Sequence, residues 1–102
     1  MTPPVMDIVR LVADAYRVSQ CEILASRKNK RLAYARQVAM YLCRELSGES
    51  YPEIGRAMRR HHSTVIHGVQ KIRRLVAEDP GVELEVYELR RSILARTEAA
   101  GG

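Results

Sequence analysis

Between Ser50 and Val76 the chain carries two helix patterns separated by too few residues for anything but a tight turn, and few folds accommodate such a corner. Ser50 followed by Glu53 is a capping box, in which each side chain takes a backbone N–H of a first turn that lacks helical partners. Pro52 fits there because that turn has unpaired donors anyway. Ile54, Ala57 and Met58 then give an apolar stripe at i, i+3 and i+4, enough for about two turns. This helix must stop near Arg59. A second helix begins around His62 or Ser63, with Ser or Thr available as N-cap, and Val65, Val69, Ile72 and Val76 turn one face inward.

The opposite face of the second helix shows Ser63, Thr64, His67, Gln70, Lys71 and Arg74, all donors or acceptors. Two helices joined this way, the second opening with small hydroxyl residues and imidazoles, form the layout of a helix-turn-helix spanning about residues 50–78. A polar helix face is most often a solvated surface. Charge separates this one from that reading. The chain holds 17 Lys and Arg against 12 Asp and Glu, net +5, yet from Arg27 to Arg74 there are 12 basic residues and only 3 acidic ones. Positive charge concentrated over the middle of a domain, with the two ends net acidic, is explained most simply by a polyanionic partner whose phosphates release counterions when neutralised. A membrane surface fits less well, because no helix pairs a strongly basic face with a bulky apolar one.

A chain of 102 residues is one domain with a single modest core. Phe and Trp are absent, so Leu, Val, Ile, Ala and Tyr must build that core. The start lacks the basic and apolar regions of a secretory signal, and nowhere are there ~20 consecutive apolar residues; the expected location is cytoplasmic and nucleoid-associated. Val5, Ile8, Val9, Val12 and Tyr16 predict a first helix behind Pro3 and Pro4. Ser19 and Glu22 form another capping box, opening a short helix that ends near Ala25. Ser26-Arg27-Lys28-Asn29-Lys30-Arg31 reads as a basic loop, placed to lie on phosphates or to enter a narrow minor groove through Arg27, Lys28 and Lys30. A helix from Leu32 to Leu46 follows, with Ala35, Val38, Ala39, Leu42 and Leu46 on one face, closed by Gly48. Asp79-Pro80-Gly81 breaks the chain before a last amphipathic helix on Val82, Val86, Leu89 and Ile93, acidic at its start and basic at its end. Residues 97–102 should fray. The expectation is an all-α bundle of five to six helices.

Ala35-Arg36-Gln37-Val38-Ala39-Met40-Tyr41-Leu42, Pro52-Glu53-Ile54-Gly55 and His62-Ser63-Thr64-Val65-Ile66-His67 with Lys71-Ile72 resemble the C-terminal DNA-binding domain, domain IV, of the bacterial replication initiator DnaA. The resemblance runs from about Val5 to Leu94. It implies a helical bundle like the Trp repressor's DNA-binding fold, and binding to double-stranded DnaA boxes with the recognition helix in the major groove and the basic loop in the minor groove. It further implies base contacts from His62, Ser63 and Thr64 with His61 beside them, Lys28 in the minor groove, and a base or backbone contact from Arg36. Gln37, Arg44, Tyr51, Pro52, His67 and Lys71 would hold the sugar-phosphate backbone. Family members usually carry an acidic residue in place of His61, Thr in place of Ser63, Arg in place of Lys28, and a Gly-Gly pair where this chain has Arg59-Arg60. The change at His61 exchanges an acceptor for a possible donor. Imidazolium at His61 and His62 would add charge near pH 6 and strengthen binding.

No Walker loop is present, so no nucleotide-hydrolysing machinery is visible and the chain is not expected to be an enzyme. The Pro-Pro start directly before the first helix favours a free-standing protein, which would act on replication initiation as a competitor of the initiator, or as a transcription regulator. It would bind DNA as a monomer, without a cofactor. Cys21 and Cys43 are not in CxxC spacing and His61 and His62 are adjacent, so no metal site is expected. An isolated imidazole without a nucleophile or orienting carboxylate makes no catalytic site. The alternative to DNA binding is an adaptor that docks a replication or regulatory partner through the terminal helix.

Overall fold

Six helices follow one another in the computed structural model, which describes residues 2–101: α1 (Val5–Tyr16), α2 (Gln20–Leu24), α3 (Lys30–Leu46), α4 (Tyr51–Met58), α5 (His62–Glu78) and α6 (Pro80–Gly101). The all-α expectation is met, with no strand among the described residues. No helix among them is long and apolar enough to cross a membrane. Both capping boxes form, Ser19 with Glu22 and Ser50 with Glu53.

The boundaries differ from the sequence reading in three places. α3 begins at Lys30 rather than Leu32, because the Asn29 side chain accepts the N–H groups of Arg31 at 2.9 Å and Leu32 at 3.3 Å and so acts as N-cap. Lys30 and Arg31 therefore stand in a first helical turn, not in the loop. The break at Asp79 is a corner without a loop: its N–H closes α5 on Leu75 O at 2.8 Å, and its carboxylate accepts the Gly81 N–H at 2.9 Å to open α6 behind Pro80. The tail expected to fray from Thr97 continues α6 to Gly101, with Thr97 Oγ1 donating to Ile93 O at 2.9 Å. Gly102, the end of that tail, lies outside the described residues, as does Met1.

α3 is the centre. The sequence pattern expected one apolar face, whereas every residue from Val38 to Cys43 is buried, because α1, α2, α4 and α5 all pack around it. Ile8, Val9 and Val12 from α1, Ile54 and Met58 from α4, and Val65, Val69 and Ile72 from α5 meet it with no exposed surface. Each such aliphatic side chain stabilises the fold by roughly 1.5–3 kcal/mol through its removal from water. Cys43 lies within this packing, and burial pushes its thiol up to about 12, leaving a core residue without nucleophilic character. α6 closes the bundle with Val86 and Ile93 and is latched by Glu85, whose Oε2 accepts from Tyr16 of α1 and, at 3.1 Å, from Tyr34 of α3. Burial, and then the Glu85 carboxylate, push the Tyr34 hydroxyl up to about 12 and that of Tyr16 further.

Two non-glycine residues close helices in the left-handed region, Arg17 after α1 (φ 57) and Arg59 after α4 (φ 58). A side chain there costs ~1–2 kcal/mol, and glycine's freedom in the unfolded chain offsets ~0.4–1 of that. Arg17→Gly should therefore stabilise the protein by about 0.5–1 kcal/mol in urea unfolding, since the Arg17 side chain is exposed and its carbonyl is unaffected. The capping boxes add a pH dependence. Hydrogen bonds to Ser50 hold the Glu53 carboxyl down at about 2 from an ordinary 4.5, and those to Ser19 lower Glu22. A carboxylate with a depressed folded pKa contributes stability above its unfolded value and loses it as pH falls toward the folded one; Glu49, pushed up beside Glu53, works in the opposite sense. Glu53→Gln should thus unfold at lower urea than the parent at pH 6, the gap narrowing as pH drops from about 4.5 toward about 2.

Candidate nucleic-acid interface

The turn of the helix-turn-helix consists of Arg59, Arg60 and His61 between α4 and α5. Its tightness depends on Gly55, because a Cβ there would lie 2.5 Å from Arg60 O. The Arg60 N–H in turn donates to Gly55 O at 2.8 Å. The N-cap of α5 is His61, not Ser63 or Thr64: His61 Nδ1 accepts the Ser63 N–H at 3.2 Å, and the Ser63 hydroxyl lies 2.8 Å from the same nitrogen. With Nδ1 as the acceptor, Nε2 is the ring nitrogen left to face outward as donor. The His61 and His62 rings stack with centroids 4.2 Å apart.

α5 then crosses α3 at close range. A Cβ at Gly68 would lie 2.7 Å from Met40 Sδ and 3.4 Å from Gln37 Cγ, so these two side chains pack directly on the α5 backbone there. Between them runs a shallow groove with Arg36 and Gln37 on one wall and Thr64, His67 and Lys71 on the other. Across Ala33, Arg36 and Arg60 it continues into a depression beneath the basic loop, lined by Arg27, Lys28 and Lys30. Neither depression has an acidic side chain among its lining residues. Gln37 Oε1 is buried in this region without a hydrogen-bond partner in the protein.

The structure thus brings eight of the expected site residues, Arg27, Lys28, Lys30, Arg36, Gln37, Thr64, His67 and Lys71, onto one continuous surface. His61, His62 and Ser63 are exposed at the N-terminus of α5, beside Thr64. Arg44, Tyr51 and Pro52 form a separate group at the junction of α3 and α4. There the Arg44 guanidinium lies 4.5 Å from the Tyr51 ring centroid and donates to Glu49 O at 3.1 Å. Arg44 follows Gln37 by seven residues, so the two share a face of α3.

Arg36, besides lining the groove, braces α2. It is buried, its Nε donates to Ile23 O at 2.7 Å, and its Nη2 donates to Glu22 O at 3.3 Å and Ala25 O at 2.9 Å. Those are the last carbonyls of α2, where a cation is favoured. The sequence reading passed over Arg60, which does the same from the other side. Its Nη1 donates to Leu24 O and Arg59 O, both at 3.1 Å, and its Nη2 to Ala25 O. Arg31, which reads as part of the basic run, donates to Arg17 O at 2.8 Å. Three of the arginines in the basic window are thus braces on backbone carbonyls. No pattern of spacing marks them, since their partners at the ends of α1 and α2 lie 11 to 36 residues away in the chain. Asn29, by contrast, carried a readable cap signal inside a run dominated by charge.

A two-turn helix, a three-residue turn and a longer helix offering polar side chains from its first turn define a helix-turn-helix domain. The family model described as "Bacterial dnaA protein helix-turn-helix" matches residues 5–72, and the chain belongs to that family. The chromosomal replication initiator protein DnaA of Rhodopseudomonas palustris (strain BisB18) is 47% identical over 88 residues, covering 85% of this chain and 19% of that protein. This chain accordingly spans about a fifth of the length of such relatives. Of solved structures, a DNA replication initiation factor superposes with a TM-score of 0.82 at 35% identity over 90% of this chain and 28% of that one. A replication initiator DnaA bound to AMPPCP and single-stranded DNA gives 0.69 at 37% identity over 87% and 28%.

The bracing by Arg60 is testable. Lysine keeps the charge but cannot span carbonyls on both α2 and the turn, so Arg60→Lys and Arg60→Met should each lose ~1–3 kcal/mol in urea unfolding. Amide exchange at Ser26–Asn29 should accelerate in both variants, while exchange in α1 stays slow.

Proposed function

We propose that this chain binds double-stranded DNA at sites resembling DnaA boxes, and that its role is occupancy of those sites in regulating replication initiation or transcription, without catalysis. The observation that carries the reading is the continuous groove from Arg27, Lys28 and Lys30 to Thr64, His67 and Lys71, cationic along its length and free of lining carboxylates. The N-terminus of α5 enters the major groove with His62, Ser63 and Thr64 toward base edges, where hydroxyl and imidazole groups meet acceptors and amino groups. The loop before Asn29 follows the backbone into the adjacent minor groove with Lys28, a cation suited to the negative potential of a narrow groove. His67 and Lys71, one and two turns further along α5, and Gln37 hold phosphates or sugars, as do Arg44, Tyr51 and Pro52 at the far end of α3.

Arg36 and Arg60 serve this reading indirectly. By holding Leu24 and Ala25 they fix the root of the loop to the start of α5, so that the two grooves are addressed in one rigid geometry. A preformed pair of reading elements loses less ordering free energy on binding than two independent ones. Each molecule reads one site on its own, and replication initiation proteins are partners through sharing the same DNA.

Fluorescence anisotropy with a DnaA-box duplex and a scrambled duplex of equal composition, at about physiological salt, tests the proposal. A preference of ~10³ or more for the box is expected, whereas equal binding to both, or none, overturns specific readout. Lys28→Ala and Lys71→Ala should weaken binding to every sequence and lower the salt slope by about one for each phosphate no longer neutralised. Thr64→Ala should leave that slope unchanged and relax preference at one or two base pairs by ~1–3 kcal/mol.

A further inference from the structure

The last helix is apolar on two sides. Val86 and Ile93 face the core, and on the other side Leu84, Tyr87 and Leu94 are 60%, 54% and 36% exposed. With 3.6 residues per turn these three fall on one stripe about 15 Å long, with Arg91 between them and Glu88 at its edge. α6 lies wholly beyond residues 5–72, the part that matches the family model, and none of its residues lines the candidate groove. The stripe is thus spatially separate from the groove.

Its chemistry narrows what covers it. Glu83, Glu88 and Glu98 are exposed beside the stripe and disfavour a polyanion. Three apolar side chains interrupted by a guanidinium, in a chain without Phe or Trp, are too little to hold a lipid surface. A second copy of the same helix fits. Laid antiparallel about a two-fold axis at Leu89, α6 brings Leu84 of each copy against Leu94 of the other and Tyr87 against Arg91, a cation over an aromatic face. At the axis Glu88 and Arg91 of one copy alternate with those of the other. The two already lie 3.8 Å apart within one helix, so the four charges close a neutral cluster. The register that pairs the leucines is also the one that pairs the charges, as an isologous contact requires.

We propose that α6 is a self-association surface through which two copies pair by the stripe Leu84, Tyr87, Arg91 and Leu94, leaving both grooves free. The contact is small, so pairing should be weak and read out only at high protein concentration. On DNA carrying two neighbouring sites the pairing adds cooperativity, because the second copy arrives at a high effective concentration; that consequence rests on the function proposed above.

Sedimentation equilibrium of the full chain from about 10 µM to about 1 mM reads the proposal without DNA, so its failure is separate from any failure of site binding. The average mass should rise toward twice that of the chain. The double variant Leu84→Glu/Tyr87→Glu, and Arg91→Glu alone, which gathers four carboxylates at the axis, should stay monomeric with unchanged helical circular dichroism. A monomeric parent at every concentration overturns the proposal, and so does a dimer that persists in these variants.

Discussion

The packing of α5 on α3, closest at Gly68, is the contact on which the placement of the candidate groove depends. Without a side chain at that position α5 comes close enough for Met40 and Gln37 to pack on its backbone, and the groove between the helices takes its depth from that approach. The first turn of α5, with His62, Ser63 and Thr64, is carried to its place by the same crossing. α3 is rigid enough to serve as the reference because it is buried on every side from Val38 to Cys43. A close-packed interior transmits position rather than absorbing it. The chain thus places its most apolar packing around the helix that carries Arg36, Gln37 and Arg44.

Basic residues divide into two populations that composition alone does not separate. Arg31, Arg36 and Arg60 are bound to carbonyls at the ends of α1, α2 and α4, where the uncompensated C=O groups of a helix terminus favour a fork of donors. Arg27, Lys28, Lys30 and Lys71 are exposed along the groove. The division suits the chemistry: the planar guanidinium satisfies several carbonyls at once, while the flexible ammonium is a point charge for a phosphate. Bracing also explains how a loop holding Arg27 and Lys28 keeps its place against charge repulsion. Its root is fastened on both sides, by Arg36 from α3 and by Arg60 from the turn.

α6 shows a similar division at the other end of the chain. Its inner side is held by Val86, Ile93, Glu85 beneath the two tyrosines, and Arg90 donating to Glu45 Oε1 at 2.8 Å. With four anchors inward, Leu84 and Tyr87 stay exposed on the side to which self-association is assigned above.

Local order was legible from the residues alone. Both capping boxes, the apolar faces of α1 and α5, the stop at Arg59 and the αL glycine at Gly48 all rest on interactions within three or four positions along the chain. The α5 wall of the candidate site was legible for the same reason, since Thr64, His67 and Lys71 share one helix face. The sequence determined which segments are helices, where they begin and which sides they bury. Only the tertiary structure decided that His61 caps α5, that Arg36 and Arg60 brace the loop while Lys28 does not, and that α6 keeps an apolar side uncovered. Those outcomes depend on which backbone carbonyls and packed faces come together from distant parts of the chain, and a repeat of three or four residues carries no record of them.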